Sequence, residues 1–225
     1  MMLRSQLLAD IQNFLRTGLL LVCIVVLWGV PARAQTPDDP NRCGPIANHY
    51  GPFDYRTQRD KLKIVEGAHF VPEVEALIRG HRGHLAQDIS YTLHTSPNHH
   101  RALIAVWRFS EKMKSPQPKW LPRPVECYFD RAIRFAPDDT VVRILYAQFL
   151  AKNGRSNESL PQLDVAVTYA KDNPFSHYNI GLAYFDLKQF DKALVQAHRA
   201  AVLGFDRTEL ADQLKAVDQW KESAN

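Results

Sequence analysis

Residues 177–201 read HYNIGLAYFDLKQFDKALVQAHRAA, and this stretch decides the fold. Ile180 and Tyr184 are four apart, as are Phe190 and Leu194, which is the spacing of one helical face. Two short amphipathic helices with a tight connection explain the stretch. Gly181, Ala193, Ala197 and Ala200 are small enough to let the two helices approach closely. Ile180, Tyr184, Phe190 and Leu194 supply the apolar area between them.

The pattern extends toward the N-terminus. Asp138 to Lys152 carries Val142, Leu145, Tyr146 and Phe149 at helical period, with Asp138 or Asp139 available as a cap. Gly154 marks a turn, and Ser159 to Tyr169 reads as the partner helix with Leu160, Leu163 and Ala166 inward. Asn173-Pro174 then breaks the chain before the opening pair. Upstream, Val125 to Ala136 is another helix. Gly154 to Lys188, Ala132 to Ala166 and Ala166 to Ala200 are each separated by 34 positions, and a train of such coincidences marks an internal repeat.

The chain resembles a tetratricopeptide repeat (TPR) protein, whose 34-residue unit carries W-x2-L-G-x2-Y followed by A, F and P. Ile180-Gly181, Tyr184, Ala193 and Ala200 fill family positions; His177 stands where Trp is usual and Ala197 where Phe is usual. The resemblance implies an all-α fold, a short TPR-like α-solenoid of three to four helix pairs over residues 67–205. It further implies a scaffold that binds a protein or peptide in a concave groove lined by the first helix of each pair. The groove residues expected on that register are Asn98, Arg101 and Arg108 from one first helix. Ile144, Gln148 and Lys152 come from the next, and Phe175, Tyr178, Asn179, Leu182 and Phe185 from the third. Cations at one end and aromatics at the other suit an extended peptide with acidic groups or a free carboxylate. Asn179 stands where TPR clamps use Asn, but the usual clamp lysine is missing from the neighbouring first helix.

Other segments fall outside the repeat. Residues 1–34 have the order of a secretory signal: Arg4 and Arg16, an apolar run over 17–30, then Ala32-Arg33-Ala34. The alternative is an uncleaved anchor that tethers the protein to the membrane through residues 17–30. Both place the protein in the bacterial envelope, periplasmic or exported. Residues 35–66 read as an irregular strap anchored by Tyr50, Phe53 and Tyr55, although Gln58 to Glu66 also suits a helix. Pro72 to Gly80 reads as a short helix closed by glycine, Leu85 to Thr95 as its partner, and Asn98 to Met113 as a helix capped by Asn98. In that last helix Leu103, Ile104, Trp107 and Met113 form the inner stripe. Residues 115–124 hold four prolines and must be an extended insertion. It serves either as a recognition arm or as a stiff connector with Trp120 plugged into the core. Residues 206–225 read as a capping helix, with Asp206 and Glu209 at capping-box spacing and Leu210, Leu214 and Val217 inward.

Without the leader, Cys43 and Cys127 remain. Two thiols in an exported chain pair or stay buried and separate. The net charge of +4 has no long basic run behind it, so a nucleic-acid partner finds no footprint. No G-x-S-x-G, Walker loop or H-E-x-x-H is present, so an enzyme and a cofactor are not expected. A second reading uses the histidines at 69, 81, 84, 94, 99 and 100 to hold a metal or small ligand. A third is a structural subunit whose groove its own strap fills.

Overall fold

The computed structural model describes residues 43–222. The leader with its expected tether, and the linker as far as residue 42, lie outside the described residues. Among the described residues every regular element is a helix, in the order α1 Arg59–His69, α2 Pro72–Glu75, α3 Leu85–Thr95, α4 His100–Met113 and α5 Val125–Phe135. These are followed by α6 Thr140–Lys152, α7 Ser156–Ala170, α8 Pro174–Asp186, α9 Phe190–Val202 and α10 Glu209–Ala216. None of these helices is long and apolar enough to cross a membrane.

Helices α6 to α9 form two tight pairs, α6 with α7 and α8 with α9, and α8 also packs on α6 and α7. The first helix of each pair starts at a side-chain cap. Asp139 accepts from the backbone N–H groups of Val141 and Val142, and Asn173 accepts from Ser176 with Pro174 in the first turn. The α6–α7 turn closes at Gly154, whose φ of +75° favours glycine. Leu163, Ala166, Ile180, Tyr184, Ala193 and Ala200 are buried in one apolar cluster that reaches Leu210 and Leu214 of α10. Gly181 sits where three helices meet. A Cβ there would overlap Leu210 Cδ2 and press on Gln196 Cβ.

A second cluster joins α2 to α5 and the start of α6, around Ile89, Leu93, Leu103, Val106, Tyr128 and Phe129. Here buried polar groups hold the chain as much as apolar ones do. Asn98, 0% exposed, takes the Tyr55 N–H on its Oδ1 at 3.0 Å and donates to Asp54 and Asp139 at 2.8 and 2.9 Å. Arg56 bridges Asp54 to Asp138 and holds the Asp54 carboxyl down at about 2. A disulfide joins Cys43 to Cys127 with Cα atoms 5.0 Å apart. One turn further along α5, Arg131 is 1% exposed and donates to the carbonyls of Cys43, Gly44 and Pro45; burial pulls its guanidinium down to about 10.

Several expected boundaries move. Helix α1 runs across residue 66, so the strap proper ends near Gln58. The helix expected over Pro72 to Gly80 ends at Glu75, because Leu77 takes a left-handed φ of +59° and buries itself instead. His99, not Asn98, caps α4, with its Nδ1 accepting from the Ala102 N–H at 3.2 Å. Ile104 and Met113 face solvent, and Ala102, Ala105, Val106 and Phe109 join Leu103 inside. Leu121 is plugged into the core where Trp120 was expected. At the C-terminus α10 starts at Glu209 without a side-chain cap, since Glu209 pairs with Arg207, and Val217 lies exposed beyond its end.

Candidate binding groove

The three side-chain caps set a common register. Eight residues after His99, Asp139 and Asn173 come Trp107, Ala147 and Gly181; thirteen after come Lys112, Lys152 and Asp186. Trp107, Ala147, Ala151, Ala183 and Leu187 meet in one groove of about 460 Å³, which reaches down to Ser159 and Leu163 of α7. Alanines at 147, 151 and 183 keep the floor close to the backbone. Ser159 Oγ donates to the Ala147 carbonyl at 2.8 Å, so the floor carries no orphan hydroxyl there.

The groove has polar walls. Lys152 Nζ pairs with Glu111 of α4 at 2.7 Å and lies 5.7 Å above the centre of the Trp107 ring. This bar separates the groove from a second basin of about 470 Å³, lined by Phe149, Lys114, Ser115 and Pro116 and sharing Trp107 and Lys152. At the far end stands Asp186, exposed at the rim, whose carboxyl is raised above its ordinary pKa by partial desolvation against the groove wall. The arrangement offers an aromatic face, a cation, an acid and an apolar floor. It holds no nucleophile paired with a base.

Of the residues expected to line a groove, Gln148 and Lys152 do so. Ile144, 6% exposed, belongs to the core. Asn98 is spent on the strap and on Asp139, out of reach of a ligand. Arg101 is exposed but drawn to Glu75, Nε to Oε1 at 2.7 Å, beside the Phe70 ring; Arg108 is exposed. The aromatic end is filled from within. Tyr178 is buried, donates to Glu209 at 3.0 Å and packs on Phe205, while Phe175 meets Phe205 edge-on. Asn179 donates to the Phe175 carbonyl of its own helix at 2.7 Å. Leu182 and Phe185 are half-buried, Phe185 against Phe190. The segment covering this end is therefore 205–210, not the strap.

The histidines do not converge. His69 Nδ1 meets Asp88 at 2.8 Å, His100 Nε2 meets Asp139 at 2.8 Å, and His99 Nε2 meets Glu66 at 3.0 Å. His84 stacks on Trp120. Among the described residues no group of three or more His, Cys, Asp or Glu side chains is arranged to hold a metal ion. Trp107 and Asp186 were not expected in the groove. Asp186 was within reach of the sequence, since it stands 34 positions after Lys152.

Comparison of the chain with family models, with curated proteins and with solved structures finds no match.

Proposed function

We propose that this chain is a non-enzymatic TPR-like adaptor of the bacterial envelope, which holds an extended segment of another protein in the groove between its first helices. The observation that carries the reading is the register. Trp107 and Ala147 stand at matching turns of α4 and α6, Lys152 and Asp186 at matching turns of α6 and α8, and all four line one hollow; α6 and α8 each open a tight pair. Helix pairs that hide their apolar flanks by stacking leave such a hollow as a by-product. The 34-residue spacing of Ala132, Ala166 and Ala200 supports the same stacking. Export is supported by the charged, apolar and small-residue order of residues 1–34.

A partner is retained through the Trp107 face, Gln148, Lys152 and Asp186. Pull-down from envelope extract tests this with Lys152→Glu and Gln148→Ala. The reading expects one or more proteins captured by the native chain and lost from the double variant. An unchanged capture profile removes the groove from the account.

A further inference from the structure

We infer that the Pro-rich arm and the loop before α3 form a docking surface for an anionic phospholipid bilayer. The inference is independent of the groove. It starts from the residue that was expected inside. Pro118 and Leu121 are buried, and the Leu121 N–H donates to the Pro118 carbonyl at 3.0 Å. Lys119 and Trp120 are thus the two central residues of a tight turn. Trp120 takes a φ of +74°, a position that favours glycine and that a bulky side chain rarely occupies. The chain is pinned on both sides of the turn, so the indole is forced outward and is 51% exposed.

The indole is also held in place. His84 stacks on it with ring centres 4.6 Å apart and planes 7° from parallel, and Lys119 Nζ lies 4.9 Å from its centre. His84 ends a loop that is itself fixed. The buried carboxylate of Asp88 gathers the backbone N–H groups of His81, Arg82 and Gly83, at 2.6, 3.1 and 3.4 Å, and also meets His69. Lys112 Nζ donates to the Leu77 carbonyl at 2.9 Å at the loop's other end. With its backbone tied inward, the loop turns Ile78, His81, Arg82 and His84 to solvent; Ile78 is 70% exposed.

Charge selects the occupant. Residues 76–84 and 115–124 contain Arg79, Arg82, Lys119 and Arg123 and not one Asp or Glu. Arg79 reaches Glu73 at 3.4 Å and Arg123 is half-buried beside Tyr128, but Lys119, against the indole, and Arg82, two residues before the His84 that stacks on it, both stand in solvent. An indole and an exposed isoleucine among cations is the composition that sits at a headgroup boundary. There the ring takes the apolar side and the cations meet anionic lipid. A rigid, pre-ordered display loses little freedom on docking.

Vesicle flotation of the full chain tests this on phosphatidylcholine alone and on phosphatidylcholine with phosphatidylglycerol. The expected result is stronger binding to the anionic vesicles, weakened by salt. Arg82→Ala with Lys119→Ala should lower it by about tenfold or more. Trp120 supplies a readout that an apolar leader does not move: the emission difference between the native chain and Trp120→Phe should shift blue on anionic vesicles. Circular dichroism melts of the variants should match the native chain, because the altered side chains are exposed. Binding that ignores lipid charge, or an indole emission that does not shift, overturns the inference. So does patch-dependent binding of heparin without binding of vesicles, which would assign a soluble polyanion instead.

Discussion

Residues 140–202 and residues 43–135 build their interiors differently. In the later region the caps are Asp139 and Asn173, and the buried side chains are mostly Leu, Ile, Ala and Tyr. In the earlier region helices are separated by irregular stretches, and Asp88, Asn98, His99 and Arg131 are buried with hydrogen bonds to distant segments. The difference follows from the backbone. A helix satisfies its own N–H and C=O groups except at its ends, so stacked pairs need mainly apolar cover. The backbone carbonyls that the buried Arg143 and His177 reach are those of Pro137 and Lys171, in the connections between helices. A strap laid across helices leaves its N–H and C=O groups unpaired, and polar side chains must reach out for them. Arg131 holding three successive carbonyls and Asp88 holding three successive N–H groups are the two faces of that requirement.

The largest effect should come from removing the tie between the strap and α5. Cys43→Ala with Cys127→Ala opens an 84-residue loop, which the chain-entropy model values at about 4.5 kcal/mol. Urea unfolding should show that loss, and hydrogen exchange should show residues 43–58 deprotected first, with α8 and α9 last. Equal deprotection of both regions would erase the contrast between them. In the later region Gly181→Ala should cost about 1–3 kcal/mol by overpacking against Leu210. Its mark should be lost exchange protection in Glu209–Ala216 with the strap unaffected.

Acid should weaken the earlier region selectively. Burial holds the His99 pKa at about 3, and its ring is neutral in the fold, Nδ1 accepting from Ala102 and Nε2 donating to Glu66. In the unfolded chain the same ring takes up a proton below about pH 6.5. The unfolded state therefore binds more protons between about pH 6.5 and 3, and stability falls as pH falls through that window. The contribution of Asp54, depressed to about 2, is present above about pH 4 and lost below it. Urea midpoints measured across pH 4–7 should slope less in His99→Asn, whose amide keeps an acceptor for the cap. The smallest effect is expected in the groove. Lys152→Glu should change stability by about 0.5 kcal/mol or less, because the Lys152–Glu111 pair is exposed, while removing partner capture.

The sequence was most legible where local period and tertiary packing agree. Leu85–Thr95 is a helix with the expected bounds, and the pairing of Cys43 with Cys127 was one of two outcomes left open by counting. Legibility failed where a neighbour decided between adjacent residues. Asn98 and His99 are both plausible caps, and Asn98 was drawn away by the strap. Trp120 and Leu121 are both apolar, and the turn at Pro118 put the smaller one inside. Tyr178 fitted a groove by register, but Phe205 and Glu209 cover it, and nothing in the helix itself announces that cover. Trp107 read as core because an apolar stripe does not tell a buried ring from one that walls a hollow.

The central claim is that the first helices share one hollow that receives a partner. A photo-crosslinking amino acid placed at Gln148, compared with the same group at exposed Val195 of α9, tests it most directly. The account predicts a discrete adduct with a single envelope protein from position 148, abolished by Lys152→Glu and absent from position 195. Adducts of the same identity and yield from both positions would contradict it.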